Sequence, residues 1–345
     1  MSFSISNSEV VQVSRRRASE PRLFLASAAL TALIIFVALW TLTSNFRQGF
    51  LAPEYGMWVA KREWVQNCRF EPTVVLGDSR MVAGVVPAEL GDATNLALGG
   101  ATPIEEYYTL LHASPCARPP QRVVISFSPQ QLMETAYFWP RTALFGYLTY
   151  QELDQIRSEA RSLGDDTLYG TANIGDFDAK LTNWLYAYHF PSYYMSSIFN
   201  GQVVGRLGAY HHIQQEVADT AGHHLYGRSN GVHEASEEAG LERFKVLPLV
   251  DAYFVKLLTL CQQKGISVYY IAAPWNQTTY AHLRPGFTDQ LSQYLEGLAG
   301  RFSNFHLLAP VEHMEDADFG DPAHLNANGA AKFSALIAAE LRAPP

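Results

Sequence analysis

A serine near the start of the chain and a histidine near its end are of the residue types that cooperate in nucleophilic catalysis. Residues 74–80 read VVLGDSR, an apolar run that turns sharply onto Ser79. A strand followed by such a turn presents a hydroxyl at the end of a sheet, with the next amides at a helix N-terminus. A serine hydroxyl becomes a nucleophile only when a neighbouring base takes its proton. The base must therefore come from elsewhere in the chain.

Residues 321–326 read DPAHLN and supply a base together with a carboxylate. A carboxylate three residues ahead of a histidine can turn back onto its Nδ1, which fixes the tautomer and leaves Nε2 to accept a serine proton. Either motif alone is more often structural than catalytic. Because the two occur in this order at opposite ends of one α/β unit, we predict Ser79 as nucleophile, His324 as base and Asp321 as the carboxylate that orients it.

The elements that must position these residues alternate between short apolar runs and helical patterns. A capping box, Thr102-Pro103-Ile104-Glu105, opens one helix, and further helices are expected over 247–264 and 327–341. Alternating strands and helices predict an α/β fold with a doubly wound parallel sheet of five strands. The predicted strands lie at 73–77, 94–98, 122–127, 266–272 and 305–308.

A different pattern interrupts this alternation over about 134–245. So long a stretch, on the order of 110 residues, exceeds an ordinary connection, and we interpret it as a helical lid or insertion over the C-terminal edge of the sheet. Within it, 149–163 is an amphipathic helix candidate and 214–243 resembles a loop. The aromatic run 184–199 is expected to form mostly lid core, with one or two rings exposed to sugars.

The N-terminal part of the chain has the features of a membrane anchor. Residues 23–42 contain no charge, proline or glycine, and an apolar helix of about 20 residues spans a bilayer. Arg15, Arg16, Arg17 and Arg22 precede it, so the positive-inside rule leaves this flank in the cytoplasm. We divide the chain into a tail (1–22), a transmembrane helix (23–44), a linker (45–70) and a catalytic domain (71–342) outside the inner membrane. A buried helix of a soluble domain is the alternative.

Composition and the remaining polar residues exclude several classes of site. The formal net charge is −8, and an acidic protein is poorly suited to binding nucleic acid. The pairs at 211–212 and 223–224 are adjacent histidines without carboxylates or cysteines at ligand spacing, so we expect no metal site. Cys68 and Cys116 each precede a predicted strand; they either form a disulfide at one edge of the sheet or are two unpaired residues. Cys261 is expected in the core.

The chain resembles the SGNH (GDSL-like) hydrolase superfamily in three blocks. Gly77-Asp78-Ser79 is similar to the first block, Asn95 with Gly99 and Gly100 to the second, and Asp321 with His324 to the last. The resemblance implies a flavodoxin-like sheet and a Ser-His-Asp triad without a cofactor. It also implies an oxyanion hole made of the Ser79 and Gly100 amides, in which each donor contributes about 3–4 kcal/mol.

One block departs from the family pattern. The family's third strand is followed by Gly-x-Asn-Asp, whose asparagine donates to the oxyanion, whereas residues 125–131 read ISFSPQQ. A serine or glutamine side chain takes over this role, or the hole has two donors. Several polar or aromatic residues near the expected sheet edge are predicted to contact substrate, although Arg80 is also suited to capping local carbonyls. They are Arg80, Asn95, Ser128, Trp275 and Asn276.

The chain is similar in particular to membrane-anchored members that acylate surface polysaccharides, such as the alginate and cellulose O-acetylation and teichoic-acid D-alanylation proteins. The features that carry this likeness are Gly-Asp-Ser-Arg at 77–80, His-Leu-Asn-x-x-Gly at 324–329 and the single anchor. The resemblance implies a periplasmic O-acyltransferase that works beside a multi-span membrane acyltransferase or a polysaccharide synthase complex. The alternatives are an anchored carbohydrate esterase and an inactive scaffold of such a complex.

Overall fold

The centre of the molecule is an all-parallel sheet of five strands. In this computed structural model, which describes residues 8–168 and 197–342, the strands are β1 (Thr73–Gly77), β2 (Ala93–Asn95), β3 (Arg122–Ser126), β4 (Ser267–Tyr270) and β6 (Phe305–Leu307). Their order is β2-β1-β3-β4-β6, with Gly77 in register with Ser126. From β1, the sheet is extended on one side by β2 and on the other side by β3. In open α/β sheets, ligands bind beside the carboxyl ends of the strands at such a point. A separate two-stranded pair joins β5 (Trp275–Asn276) to β7 (His313–Met314).

The strands form because their apolar residues are buried on both faces, as a doubly wound sheet requires. Val74 and Leu76 belong to the core cluster on one face, while Val75 belongs to the cluster on the other. Helices Pro248–Lys264 and Pro285–Arg301 cover the first face. Helices Ser79–Gly84 and Ala327–Arg342 cover the second. The predicted mixed α/β fold with five parallel strands is confirmed.

The helices are numbered in chain order. They are α1 (Ser8–Asn45), α2 (Tyr55–Gln66), α3 (Ser79–Gly84), α4 (Pro87–Leu90), α5 (Pro103–Ala113), α6 (Pro129–Met133), α7 (Tyr150–Leu163), α8 (Gln202–Asp219), α9 (Pro248–Lys264), α10 (Gln277–His282), α11 (Pro285–Arg301) and α12 (Ala327–Arg342). A π-helical segment, Phe138–Ala143, and 3-10 turns at Arg47–Gly49, Glu237–Gly240 and Asp316–Asp318 complete the set. The capping boxes at Thr102 and Thr149 fix the starts of α5 and α7.

The first helix contains a segment suited to crossing a membrane. Pro21–Leu42 has a mean hydropathy of 2.5 and none of it is buried against the rest of the protein. It is the one helix among residues 8–168 and 197–342 that is long and apolar enough to span a bilayer.

The segment after this helix differs from the predicted linker. Residues 45–70 contain the turn Arg47–Gly49 and helix α2, and Met57 and Trp58 of α2 are almost fully buried. Trp58 packs in a cluster with α5 and α7, whereas Met57 packs in the cluster beneath β1 and β3. Since these apolar side chains are buried in two of the core clusters, the segment is part of the globular domain.

Part of the predicted insertion lies in the described residues. Helix α7 is present where the amphipathic pattern predicts it. Residues 214–219 belong to helix α8 rather than to a loop, and 220–236 are irregular. Most of the aromatic run 184–199 lies outside the described residues.

Cys68 and Cys116 form a disulfide, with their Cα atoms 5.7 Å apart. Cys68 follows α2 and Cys116 follows α5, so the bond ties the ends of these two helices together at the N-terminal edge of the sheet. Cys261 is free and buried, as predicted for a core residue.

Candidate active site

The turn after β1 is built to hold Ser79 in one position. Gly77 has φ +130°, and a Cβ there would lie 1.9 Å from the Ser126 carbonyl oxygen, so only glycine fits. The buried Asp78 side chain accepts hydrogen bonds from the amides of Arg80 at 2.9 Å and Ser128 at 2.7 Å. It thereby caps α3 and ties the turn to the end of β3. Ser79 is the first residue of α3.

The loop before α12 holds the second half of the site. The Asp321 carboxylate lies 2.8 and 2.9 Å from His324 Nδ1 and accepts the His324 amide at 2.9 Å. Burial raises the pKa of Asp321, but the bonds from His324 and from the Ala323 and His324 amides outweigh it and leave that pKa below its usual value. Asp321 is therefore ionised at neutral pH and orients the imidazole. The Asn326 side chain fixes the loop by donating to the Ala317 and Phe319 carbonyls, and ties it to residues 220–236 by donating to the Ser229 carbonyl.

These two halves meet. His324 Nε2 lies 2.8 Å from Ser79 Oγ, although 245 positions separate the residues along the chain. The Tyr226 ring packs against the imidazole, with centroids 4.8 Å apart. Ser79 and His324 open into a cavity of about 270 Å³. The arrangement suits removal of the serine proton by the imidazole and attack of Oγ on a carbonyl carbon.

Two backbone amides border the same cavity. Ser79 and Gly100 both line it, and within the part of the chain that the structure describes neither amide donates a hydrogen bond. Gly100 has φ +77° and lies two residues before Thr102, the first residue of the capping box of α5. Free amides beside a nucleophile are suited to a developing oxyanion.

The buried Lys61 stabilises the loop that leads to Gly100. Lys61 Nζ donates to the Ala97 carbonyl at 2.7 Å, and Glu106 on α5 accepts the Gly77 amide at 3.1 Å. Burial lowers the pKa of Lys61 to about 7, against the opposing charge of Glu106, whose own pKa burial raises. Helix α2 thus holds the loop that leads to Gly100, and helix α5 holds the turn at Gly77 that precedes Ser79.

An arginine and a glutamate from distant parts of the chain form one wall of the cavity. Arg141 Nε lies 3.1 Å from a Glu54 carboxylate oxygen, and its guanidinium packs over the Tyr137 ring at 4.4 Å. Arg141 Nη1 is so near Gly100 that a Cβ added there would lie 2.8 Å from it. Burial raises the pKa of Glu54, while the charges of Arg141 and His324 oppose the increase. No local motif marks either residue, because their proximity depends on α2 packing beside the π-helical segment.

A second ion pair also lines the cavity. Arg80, 7% exposed, pairs with Glu238, 2% exposed, and the Trp275 indole also donates to Glu238. Arg80 and Ser128, two of the predicted substrate contacts, line the cavity with Ser79. Ser128 also caps α6. Glu238 comes from the insertion and, like Tyr226, carried no sequence signal that would have singled it out.

Three predicted substrate contacts have other roles. The Asn95 amide, fully buried, donates to the Met81 and Val85 carbonyls and accepts the Ala97 amide. Asn276 is likewise buried and caps α10 while it donates to carbonyls of residues 232 and 234. Trp275 borders a different cavity. All polar atoms of both asparagine side chains are engaged with backbone, so they are structural rather than substrate-binding.

The adjacent histidines have separate environments. His211 and His212 lie on α8, His223 donates to the Ala83 carbonyl at 2.9 Å, and His224 lies 3.1 Å from a Glu216 oxygen. The described residues contain no group of three or more His, Cys, Asp or Glu side chains that could hold a metal ion.

No protein-family model matches the chain, and a search of curated proteins finds no match either.

Proposed function

We propose that this protein is an SGNH-type serine acyltransferase that transfers an acyl group, such as acetyl, to a polysaccharide hydroxyl. The hydrogen-bonded series from Asp321 through His324 to Ser79 is the observation that carries the proposal. Each side chain has the partner that a serine nucleophile, its base and the orienting carboxylate need.

The first half-reaction acylates the serine. His324 Nε2 takes the hydroxyl proton as Ser79 Oγ bonds to the donor's carbonyl carbon, and the amides of Ser79 and Gly100 stabilise the oxyanion. The tetrahedral intermediate collapses as the bond to the leaving group breaks, and His324 returns the proton to that group. An acyl ester on Ser79 remains.

The second half-reaction delivers the acyl group to the sugar. His324 takes the proton of a sugar hydroxyl, whose oxygen attacks the ester carbonyl. The bond from the carbonyl carbon to Ser79 Oγ then breaks, and Oγ recovers the proton. Water in place of the sugar would make the same residues an esterase.

Arg141 is proposed to be the third oxyanion donor. Its guanidinium contacts Gly100, whose amide is one of the two backbone donors, and borders the cavity with Ser79. A guanidinium keeps its charge at any physiological pH and donates in fixed directions, which suits a developing anion. Ser128 and Gln131 also line the cavity, but their side chains are neutral and therefore stabilise a developing anion less than a guanidinium does.

We further propose that Pro21–Leu42 anchors the protein in the bacterial inner membrane, with the N-terminus cytoplasmic and the catalytic domain periplasmic. Glu54 lines the cavity only 12 residues after the end of this segment, a distance of at most about 40 Å in extended chain. The site therefore works near the bilayer. A multi-span acyltransferase or synthase complex in that membrane is the partner that such a position suits.

The decisive experiment labels the nucleophile. Full-length protein in detergent should react with a fluorophosphonate at Ser79, as located by peptide mass spectrometry. Labelling should fall at least 100-fold in Ser79→Ala and in His324→Ala, and should persist in Ser162→Ala, whose hydroxyl lies on the exposed end of α7. Absence of labelling in well-folded wild-type protein would refute the serine mechanism.

Product analysis separates transfer from the alternatives. With an activated acetyl ester and an oligosaccharide, a transferase yields acetylated sugar, whereas an esterase releases acetate at a rate that the sugar does not change. Unchanged polymer acylation in cells that carry Ser79→Ala would leave only a scaffold role.

A further inference from the structure

We propose that the cavity beside Ser79 is an acceptor subsite for one unit of an uncharged, polyhydroxylated sugar, and that it discriminates against uronate and phosphate polymers. This inference rests on the proposed acyl transfer and specifies its acceptor.

The first observation is a set of polar atoms that lack partners. Among the described residues, five side chains that line this cavity each bury a nitrogen or oxygen with no hydrogen-bond partner: Arg80 Nη1, Gln131 Oε1, Tyr226 OH, Ser236 Oγ and Glu238 Oε1. Arg80, Gln131 and Glu238 are each more than nine-tenths buried. Buried polar groups are normally hydrogen-bonded, so such a cluster indicates that a ligand or water completes it.

The types of these atoms indicate which ligand completes them. Arg80 can only donate and the Glu238 carboxylate can only accept, whereas Tyr226 and Ser236 can do either. Burial raises the pKa of Tyr226 well above its usual range, so its hydroxyl keeps its proton. A ligand that satisfies both kinds of partner within one small volume needs several hydroxyl groups, each of which donates and accepts.

The charge of the cavity indicates a neutral ligand. Its lining carries the cations Arg80 and Arg141 against three glutamates, Glu54, Glu237 and Glu238. Each arginine is already paired with one of these carboxylates. Even with Glu54 protonated, the lining has no excess positive charge. A uronate or phosphate would therefore lose its hydration without meeting an excess of positive charge.

The size of the cavity limits how much of a polymer enters. A volume of about 270 Å³ is just below the roughly 300–1,000 Å³ of sites that enclose drug-sized ligands. One sugar unit and the acyl group on Ser79 fit this space, and the rest of the chain must leave through the open side.

Binding to the full-length Ser79→Ala protein tests the inference without catalysis. In detergent micelles, saturation-transfer NMR titrations would compare cellotetraose with a tetrauronate of equal length. We expect the affinity for cellotetraose to exceed that for the tetrauronate at least tenfold at 150 mM salt. Equal or tighter binding of the tetrauronate, or no binding of either probe, would overturn the inference.

Two substitutions address the unpartnered atoms. Gln131→Ala and Ser236→Ala, each added to Ser79→Ala, should weaken cellotetraose binding about fivefold or more, because each removes a hydrogen-bonding group of the subsite. Ser292→Ala is the matched control and should leave binding unchanged, since Ser292 lines the separate cavity that Trp275 borders. If both substitutions leave affinity unchanged in folded protein, the subsite lies elsewhere.

A charge substitution gives an independent measurement. Glu54→Gln removes the carboxylate beside Arg141 and leaves a partly exposed cation, so tetrauronate affinity should rise at least threefold while cellotetraose affinity changes less. An unchanged preference would contradict the electrostatic argument.

Fluorophosphonate labelling of the wild type separates the two proposals: a labelled protein that prefers uronates refutes only the subsite, whereas an unlabelled one that binds cellotetraose refutes only the acyl transfer.

Discussion

Arg141 is the residue that we propose as the third oxyanion donor. Its guanidinium lies against Gly100 and is held in place by Glu54 and the Tyr137 ring. Because an oxyanion donor acts mainly in the transition state, its loss should lower kcat and kcat/KM together and leave KM nearly unchanged.

We therefore predict that Arg141→Gln slows turnover of an activated acetyl ester about 10²–10³-fold, the effect typical of removing one oxyanion-hole donor. Arg141→Lys should lose less, because it keeps the charge. Arg284→Gln is the control, since Arg284 is exposed and pairs with Glu242 away from the cavity. A rise in KM without a fall in kcat would instead assign Arg141 to substrate binding.

At the scale of elements, helix α2 connects the end of the membrane-compatible helix to the site. It supplies Lys61 beneath the Gly100 loop, begins just after Glu54, and is tied at its far end to α5 by the Cys68–Cys116 bond. The bond closes a loop of 48 positions along the chain that contains β1, α3 and β2. Cross-linking so much of the chain limits the freedom of the unfolded state.

Loss of the disulfide should therefore destabilise the fold. We predict that Cys116→Ser lowers the free energy of unfolding by about 2–4 kcal/mol, measured by urea denaturation in detergent. Cys68→Ser and the double variant should lose the same amount, because one bond is the common cause. If reductant leaves the midpoint of the wild-type transition unchanged, the bond contributes nothing to stability.

At the scale of the whole molecule, the proposed anchor and the site share one continuous segment. Phe50, Leu51 and Trp58, which follow the apolar helix, are buried in a cluster with α5 and α7. Within the described residues, Arg206 of α8 also donates to the Phe50 carbonyl. The globular domain therefore begins almost directly after the segment that could cross the membrane, rather than at residue 71.

Truncation tests this boundary. A chain that begins at Phe46 should remain folded without detergent and keep fluorophosphonate labelling within about threefold of the full-length rate. A chain that begins at Asn67 lacks Glu54, Met57, Trp58 and Lys61, so it should lose cooperative unfolding and labelling, because burial of large apolar side chains is worth several kcal/mol. Equal labelling of both chains would show that residues 46–66 are a linker after all.

The amino-acid sequence by itself determined the parts that depend on neighbouring residues. Apolar runs located the five strands to within a few residues, the capping box located the start of α5, and an uninterrupted apolar stretch located the membrane-compatible helix. Ser79 and the Asp321–His324 pair were also recognisable, because the turn and the three-residue spacing are local patterns.

Only the tertiary structure decided which distant side chains share the cavity. The pairs Glu54–Arg141 and Arg80–Glu238 join residues 87 and 158 positions apart, and no periodicity or spacing encodes such contacts. The structure also shows that Asn95 and Asn276, predicted to contact substrate, instead hydrogen-bond through their side-chain amides to backbone carbonyls. Strands and caps follow from forces within a few residues, whereas ion pairs and a cavity depend on how whole elements dock.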